Sequence, residues 1–576
     1  YEILRCLVGS EMCIRDSNGS FQSINRRYDI VYGDVMLNFN YNINRFDIAA
    51  TVGWTGRYEN MNNIRVSTNG GLVTENWFDL NASRYTPSST LQRMELLKTG
   101  YMGTLSLGWD NYLFLELTGR QERSSTLKDQ SFFYPSANLS FLFTQAFHMP
   151  SWWNYGKLRL SYGIVGNAPE TYTANIVYEQ GSDNGFTWNT IPSSWGNADI
   201  RPEKKYEYEI GLESKFLNNR LGIDISYYNN RVKDQILSTP QPSTSGVKNV
   251  LMNVGEVANR GWDISISATP ILTRDFRWDL TANYGVYKNK VVKLADGVPY
   301  LEILNSGGSG IKIQAVEGQP MGDIYAQVPQ VNENGEYLVS DKGLYLNQTE
   351  LQKVGNINPA GVGGLFNSFS YKNVFLDFSI DFRIGGDVIN EMNQYGTAVG
   401  LTPESLKYRD TEHGGLSYYY PGDNNSSGIP VQVDPSTGAG PNGEIIYHDG
   451  IILPGVVAST GERNTRIIPA GYYYNTTYNW GTEAEQLTYR HSVFDNSYVK
   501  LRELTIGYQF PEKMISKLGL GRLSVSVFGR NLFYFYKALK NYDAESSVGT
   551  SWANQATVGS STTATRSFGV SLRASF

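Results

Sequence analysis

Cysteine is nearly absent from this chain. Only Cys6 and Cys13 occur among 576 residues, both inside CLVGSEMCIRDS near the start, and their C-x6-C spacing matches no metal or redox pattern. Histidine is almost as scarce: His148, His413, His448 and His491 are scattered, with no H-E-x-x-H. Neither a G-x-S-x-G elbow nor a glycine loop leading into a helix occurs, so hydrolysis and nucleotide binding have no motif to stand on. The chain reads as a non-enzyme without metal or cofactor. Net charge is −6 with no basic patch, which speaks against nucleic acid. Long apolar runs are also lacking, and none approaches the ~18 residues of a membrane helix.

That last absence leaves one membrane architecture open. A transmembrane β-strand needs only about 10 residues with every second one apolar, so a mean hydropathy of −0.35 is compatible with a barrel. What the chain does have points that way: 40 tyrosines, 58 glycines and 13% aromatic residues, with alternation at period two in segment after segment. In YEYEIGLESKF, Tyr206, Tyr208, Ile210 and Leu212 interleave with Glu207, Glu209, Gly211 and Glu213. In FLDFSIDFRIG, Leu376, Phe378, Ile380, Phe382 and Ile384 interleave with Asp377, Ser379, Asp381 and Arg383. Successive strand side chains point to opposite faces. One face is then apolar, for lipid, and the other carries Glu207, Glu209, Glu213, Asp377, Asp381 and Arg383 toward a wet lumen. A soluble all-β fold would also alternate, but over strands of about 5 to 6 residues.

Reading strands by alternation and turns by Gly, Asn, Asp and Pro clusters gives about fifteen: 28–40, 43–59, 98–108, 111–121, 132–144, 155–165, 203–216, 220–232, 258–269, 275–290, 361–371, 374–385, 498–510, 522–533 and 566–576. Their connections are expected to alternate strictly between short and long. The short ones include Tyr41-Asn42, Leu217-Asn218-Asn219 and Lys372-Asn373; the long ones run about 60–97, 166–202, 233–257, 291–360, 386–497 and 534–565, with a smaller one near 122–131. This is the pattern of brief periplasmic turns and extended extracellular loops in an up-and-down barrel, which leaves no unpaired edge in lipid. Single-chain bacterial barrels have even strand numbers, so at least one further strand is expected ahead of these. The run Leu7 to Ser17 reads as a translated transposase-type sequencing adaptor. Residues 1–17 are therefore expected to be non-native and outside the fold, with one partial barrel domain over 18–576.

Five segments, in order, are similar to one family. They are KLRLSYGIVGN at 157–167, RPEKKYEYEIGLESKFLNNRLGIDISYYNNRVKDQI at 201–236, NVGEVANRGWDISISATPI at 253–271, GNINPAGVGGLFNSFSYKNVFLDFSIDFRIGGDV at 355–388, and NSYVKLRELTIGYQFPEKMISKLGLGRLSVSVFGRNLFYFYKALKNYDAE at 496–545. Together they resemble the SusC/RagA-like TonB-dependent transporters of the Bacteroidota outer membrane. The resemblance implies the C-terminal part of a large plugged barrel, with the plug, the first strands and the TonB-contact segment absent from this chain. It further implies import of a large nutrient, oligosaccharide or peptide, together with a SusD-like surface lipoprotein. The competing reading is a passive porin or a surface adhesin on a similar wall.

Candidate binding residues are the loop aromatics Trp188, Trp195, Tyr418, Tyr419, Tyr420, Tyr472, Tyr473, Tyr474 and Trp480. Flat rings on loops can stack on sugars, clamp a peptide or anchor a lipoprotein lid; the alternative is packing of one loop on another. The carboxylate-rich stretch from Asp434 to Glu444 can offer oxygen ligands to a hard cation, although it equally describes a solvated turn. Phe576, a terminal aromatic closing an alternating strand, resembles the signal read by the barrel-insertion machinery, or is simply the last lipid-facing residue.

Overall fold

The computed structural model describes residues 19–128, 131–183, 185–306, 310–422, 428–479, 488–546, 551–559 and 564–575. The adaptor-like residues 1–17, Trp480 and Phe576 lie outside the described residues.

Fifteen long strands are hydrogen-bonded neighbours in chain order within one sheet. They are Gln22–Ile43, Phe46–Leu72, Ser83–Trp109, Leu113–Ser124, Ser131–Phe141, Trp153–Asn167, Glu203–Phe216, Leu221–Lys233, Glu256–Leu272, Phe276–Lys293, Pro359–Tyr371, Val374–Gly385, Tyr498–Gln509, Arg522–Lys537 and Ser567–Ser575. All fifteen expected strands are present.

Three expectations about the connections fail. The supposed loop at 60–97 is mostly ladder: Asn60 to Ser67 pair with Glu95 down to Ser88, and Leu72 still pairs with Ser83, which leaves only 73–82 as connection. Here both faces carry Asn, Ser, Thr and Arg, so a strand wetted on both sides loses the apolar alternation by which strands are found. Nor is the first short turn Tyr41-Asn42. The ladder runs to Ile43 opposite Phe46, and the turn falls at the next pair, where Asn44 adopts φ 52°, a conformation asparagine tolerates well. The short/long alternation is also not strict. Residues 125–130 form a shorter connection than 142–152 or 510–521, and these two carry the short helices Phe143–Ala146 and Glu512–Ile515.

Contacts divide the chain into two compact units. The first comprises 19–145, 159–208 and 231–255 of the described residues; its buried apolar cluster, Leu127, Phe132 and Ile200, includes flanking Ile236 and Leu251 from a small sheet in the connections. The second comprises 146–158, 209–230 and residues from 256 onward. Its largest core cluster, with Ile311, Ile313, Ile324, Ile357, Ile389, Tyr489 and Val493, lies in the connections and not in the long strands. A single-layer wall has no second layer to pack on, so apolar burial concentrates where a long connection folds upon itself. The 386–497 connection does so with the helices Glu391–Ala398 and Ala470–Tyr478 and a four-stranded sheet containing Leu416–Tyr419 and Tyr447–Ile451.

Candidate functional site: the polar wall face and the long-connection module

In the first unit the wall has two contrasting faces. Leu37 pairs with Val52, and both are at least half exposed, as is Phe39. A contiguous apolar band of this kind belongs in hydrocarbon. The other face is tied by polar side chains: Thr51 donates to Asn38 at 2.7 Å, Thr118 and Ser136 share a bond of 2.6 Å, and Tyr134 donates to Glu122 at 2.7 Å. Charges on this face pair two residues apart along one strand, as in Arg57–Glu59 and Arg120–Glu122. Glu207 follows the same rule with Lys205 at 2.6 Å, and in the second unit Glu213 does so with Lys215 at 3.6 Å. Tyr208, Ile210 and Leu212, the residues interleaved with Glu207, Glu209 and Glu213, are all more than two-fifths exposed. Period two thus neutralises the polar face locally.

In the second unit strand Val374–Gly385 separates its side chains similarly. Phe378 stacks on Phe369 with ring centres 6.0 Å apart, Phe369 stacks on Trp278 at 5.5 Å, and Phe382 stacks on Tyr284 at 6.2 Å. Within this apolar face lies a buried Asn367, whose Oδ1 accepts from Trp278 Nε1 at 3.1 Å. Asp377, Ser379, Asp381 and Arg383 occupy the alternate positions, registered against Thr505, Glu503, Lys500 and Tyr498. Two of these candidates do more than solvate. Arg383 donates to the carbonyls of Ile357 and Gly385, both at 3.1 Å, which commits it to closing the strand end. Asp381 accepts from Arg502 Nε at 3.1 Å and from Tyr498 Oη at 3.3 Å. Arg502 sits in a register shift, between Glu503 opposite Ser379 and Leu501 opposite Ile380. Such a bulge re-aims a side chain, and here it adds an extra cation to the polar face.

Sequence reasoning missed the group around Lys500. This lysine is 2% exposed, with Nζ 2.5 Å from Glu545 Oε2 and 4.8 Å from the centre of the Tyr534 ring. Arg502 also grips Glu545, at 2.6 and 2.8 Å. Burial pushes the Glu545 carboxyl upward, but the donors on Arg502 and Lys500 outweigh this and hold it below the usual carboxylate range. The signal in the sequence was VKLRE, two cations on one strand face with a single anion beside them, answered by Asp381 and by the distant YDAE.

The loop aromatics divide. Tyr418, Tyr420 and Tyr474 are 1%, 6% and 4% exposed, so they offer no ring face to a ligand, and the expected binding role is corrected for all three. The reason is packing. Tyr418 and Tyr420 cluster with Tyr447 and Ile467, and Tyr474 donates to the carbonyl of Glu404 at 2.9 Å. Tyr473 packs on the cluster of Leu344, Ile451, Leu453 and Ile468. Tyr472 and Trp188 remain exposed, at 39% and 47%; Tyr419 is half-buried, and Trp195 meets Tyr178 edge-on at 6.0 Å.

Backbone amides satisfy the carboxylates of Asp434 and Glu444. Asp434 accepts from the Ser436 amide at 2.9 Å. Glu444 accepts from the amides of Asn442 and Gly422 at 2.8 and 3.1 Å. Those donors, the Asn442 amide foremost, hold Glu444 down at about 2. Among the described residues no group of three or more His, Cys, Asp or Glu is placed to hold a metal ion. A cavity of about 420 Å³ lies in the 386–497 module beside Asn393, Thr397, Glu404, Tyr478 and His491. His491 stacks on Tyr478 with ring centres 4.4 Å apart, and burial, aided by the Arg490 charge, lowers its pKa to about 4.

Fifteen antiparallel strands in chain order, apolar on one face and charge-paired on the other, define the wall of a large outer-membrane β-barrel. The family model described as TonB dependent receptor-like, beta-barrel, matches residues 9–329, more than half of the chain, and the chain belongs to that family. Among curated relatives, TonB-dependent receptor P3 of Formosa agariphila is 24% identical over 495 residues, covering 78% of this chain and 42% of the relative. TonB-dependent receptor SusC of Bacteroides thetaiotaomicron is 30% identical over 247 residues, covering 39% of this chain and 24% of SusC. The chain thus spans less than half the length of these relatives. A solved structure of the RagAB peptide importer in the "open-open" state superposes with a TM-score of 0.68 at 18% identity, over 96% of this chain and 56% of that one, which shows a shared fold.

Proposed function

We propose that this chain forms most of the wall and the outer loops of a TonB-coupled importer that takes a large nutrient, oligosaccharide or peptide, across the outer membrane. A SusD-like surface lipoprotein would cover it from outside. In this reading the long connections are extracellular, a plug and TonB-contact segment lie in sequence preceding this chain, and the polar wall face surrounds the plug. Glu207, Glu209, Glu213, Asp377 and Asp381 then line the lumen, and Phe576 serves the barrel-insertion machinery. The observation that carries the reading is family membership, together with a wall whose polar face carries ion pairs such as Lys205–Glu207 and Arg502–Asp381. The similarity to TonB-dependent receptor SusC is in keeping with a SusD-like partner.

Uptake of labelled oligosaccharide and peptide pools by cells carrying the whole gene is the test. Uptake should stop when TonB is removed or the proton-motive force is collapsed. Uptake that persists would replace the importer by a passive porin. For the lid, Tyr472→Ala and Trp188→Ala should weaken co-purification with the lipoprotein while the barrel still assembles, because exposed aromatics are the usual anchors of an interface. Unchanged co-purification would remove both residues from the interface.

A further inference from the structure

The segment 537–546 touches more of the second unit than its length suggests. Leu539 is fully buried against Val388, Val558, Phe494 and Tyr542. Asn541 Nδ2 donates to Asn393 Oδ1 at 3.3 Å and to Glu404 Oε2 at 3.1 Å, both groups of the 386–497 module. Asn496 donates to the Ala544 carbonyl at 2.9 Å. On the wall side, Tyr534 Oη donates to Asp543 at 2.9 Å, and Glu545 is shared by Lys500 and Arg502, the latter also bound to Asp381 of the neighbouring strand. One short segment is therefore held at one end by wall cations and at the other by amides and a carboxylate of the largest loop.

The burial of Lys500 sets the character of this connection. A purely apolar tether, such as Leu539 provides, loosens gradually when weakened. An ammonium group 2% exposed behaves differently, because removing its carboxylate leaves an uncompensated buried charge, whereas removing both partners does not. Arg502, about one-third exposed, keeps Asp381 if Glu545 leaves. Glu545 is thus the jaw that both cations hold.

We propose that residues 537–546 form an ion-paired clasp that fastens the 386–497 loop module to the barrel wall, with Lys500 and Arg502 as positioning residues and Glu545 as the releasable jaw. The clasp rests on these contacts alone, independently of the import reading, and its test measures protection from exchange and not uptake.

Hydrogen exchange is followed by mass spectrometry on the whole transporter in outer-membrane vesicles. Glu545→Gln should accelerate exchange in 388–406 and 538–546 by at least about tenfold, with the wall strand Pro359–Tyr371 unchanged. Lys500→Met alone, which leaves Arg502 on Glu545, should stay near wild type. The double variant K500M/E545Q should recover most of the protection lost in E545Q, since no unpaired buried ammonium remains. Unchanged exchange in E545Q, or a double variant as exposed as E545Q, overturns the clasp. Should E545Q fail to assemble, the double variant is still expected to assemble, and its failure overturns the proposal equally.

Discussion

Placing an arginine at 379 or at 380 asks which face of strand Val374–Gly385 meets lipid. The strand has 12 residues; at about 3.3 Å each and a tilt of about 40°, it rises about 30 Å, so its middle lies near the bilayer midplane. Ile380 is flanked on its own face by Phe378 and Phe382, which stack on Phe369 and Tyr284. A guanidinium there would sit in hydrocarbon, at a cost of about 2–4 kcal/mol. Ser379 is registered opposite Glu503, with Asp377 and Asp381 two residues away on the same face. An arginine there gains carboxylate neighbours and should change stability by at most about 1 kcal/mol. The two variants should therefore differ by about 1–5 kcal/mol, about fivefold to a few thousandfold in folding equilibrium, as about 1.4 kcal/mol corresponds to tenfold. Urea titration of the whole barrel refolded into vesicles, read by tryptophan fluorescence and heat-modifiable mobility, measures this. Equal costs, or a larger cost at 379, would refute the assignment of faces. Cysteine labelling gives an independent check, since a membrane-impermeant reagent should modify position 381 and spare 380.

Two further predictions concern groups that alternation did not mark. Trp278→Phe should destabilise the barrel by about 1–3 kcal/mol, because Asn367 is left buried on the apolar face without its indole donor; the double variant W278F/N367L should recover most of the loss in the same urea assay, and a double variant no better than W278F would show that the bond is not the cause. His491 makes acid resistance of the loop module testable. Its pKa in the fold is about 4 against about 6.5 unfolded. The neutral form is favoured by folding, so this stability is complete above pH 6.5 and falls as pH drops toward 4, by about 3 kcal/mol at most. His491→Gln should flatten protease protection of 386–497 between pH 6.5 and 4, and an unchanged pH profile would exclude His491 as its source.

The strands of the wall were legible in the sequence because a membrane wall obeys a strict local rule. Lipid on one side and polar surroundings on the other impose period two on each strand, so segments such as Leu376 to Arg383 declare both their conformation and their faces. That rule stops where its cause stops. The ladder from Asn60 to Leu72 carries polar side chains on both faces, shows no alternation, and is held by backbone pairing with Ser83 to Glu95, which only the folded chain displays. Tertiary structure also decided the fate of the loop aromatics. Tyr418, Tyr472 and Tyr474 look alike in sequence, yet two are buried by neighbours brought from distant positions and one is not. The Lys500, Arg502, Asp381 and Glu545 network joins groups up to 164 positions apart, from Asp381 to Glu545. Burial and ion pairing at such separations depend on which connections fold against which strands, and no local pattern records that.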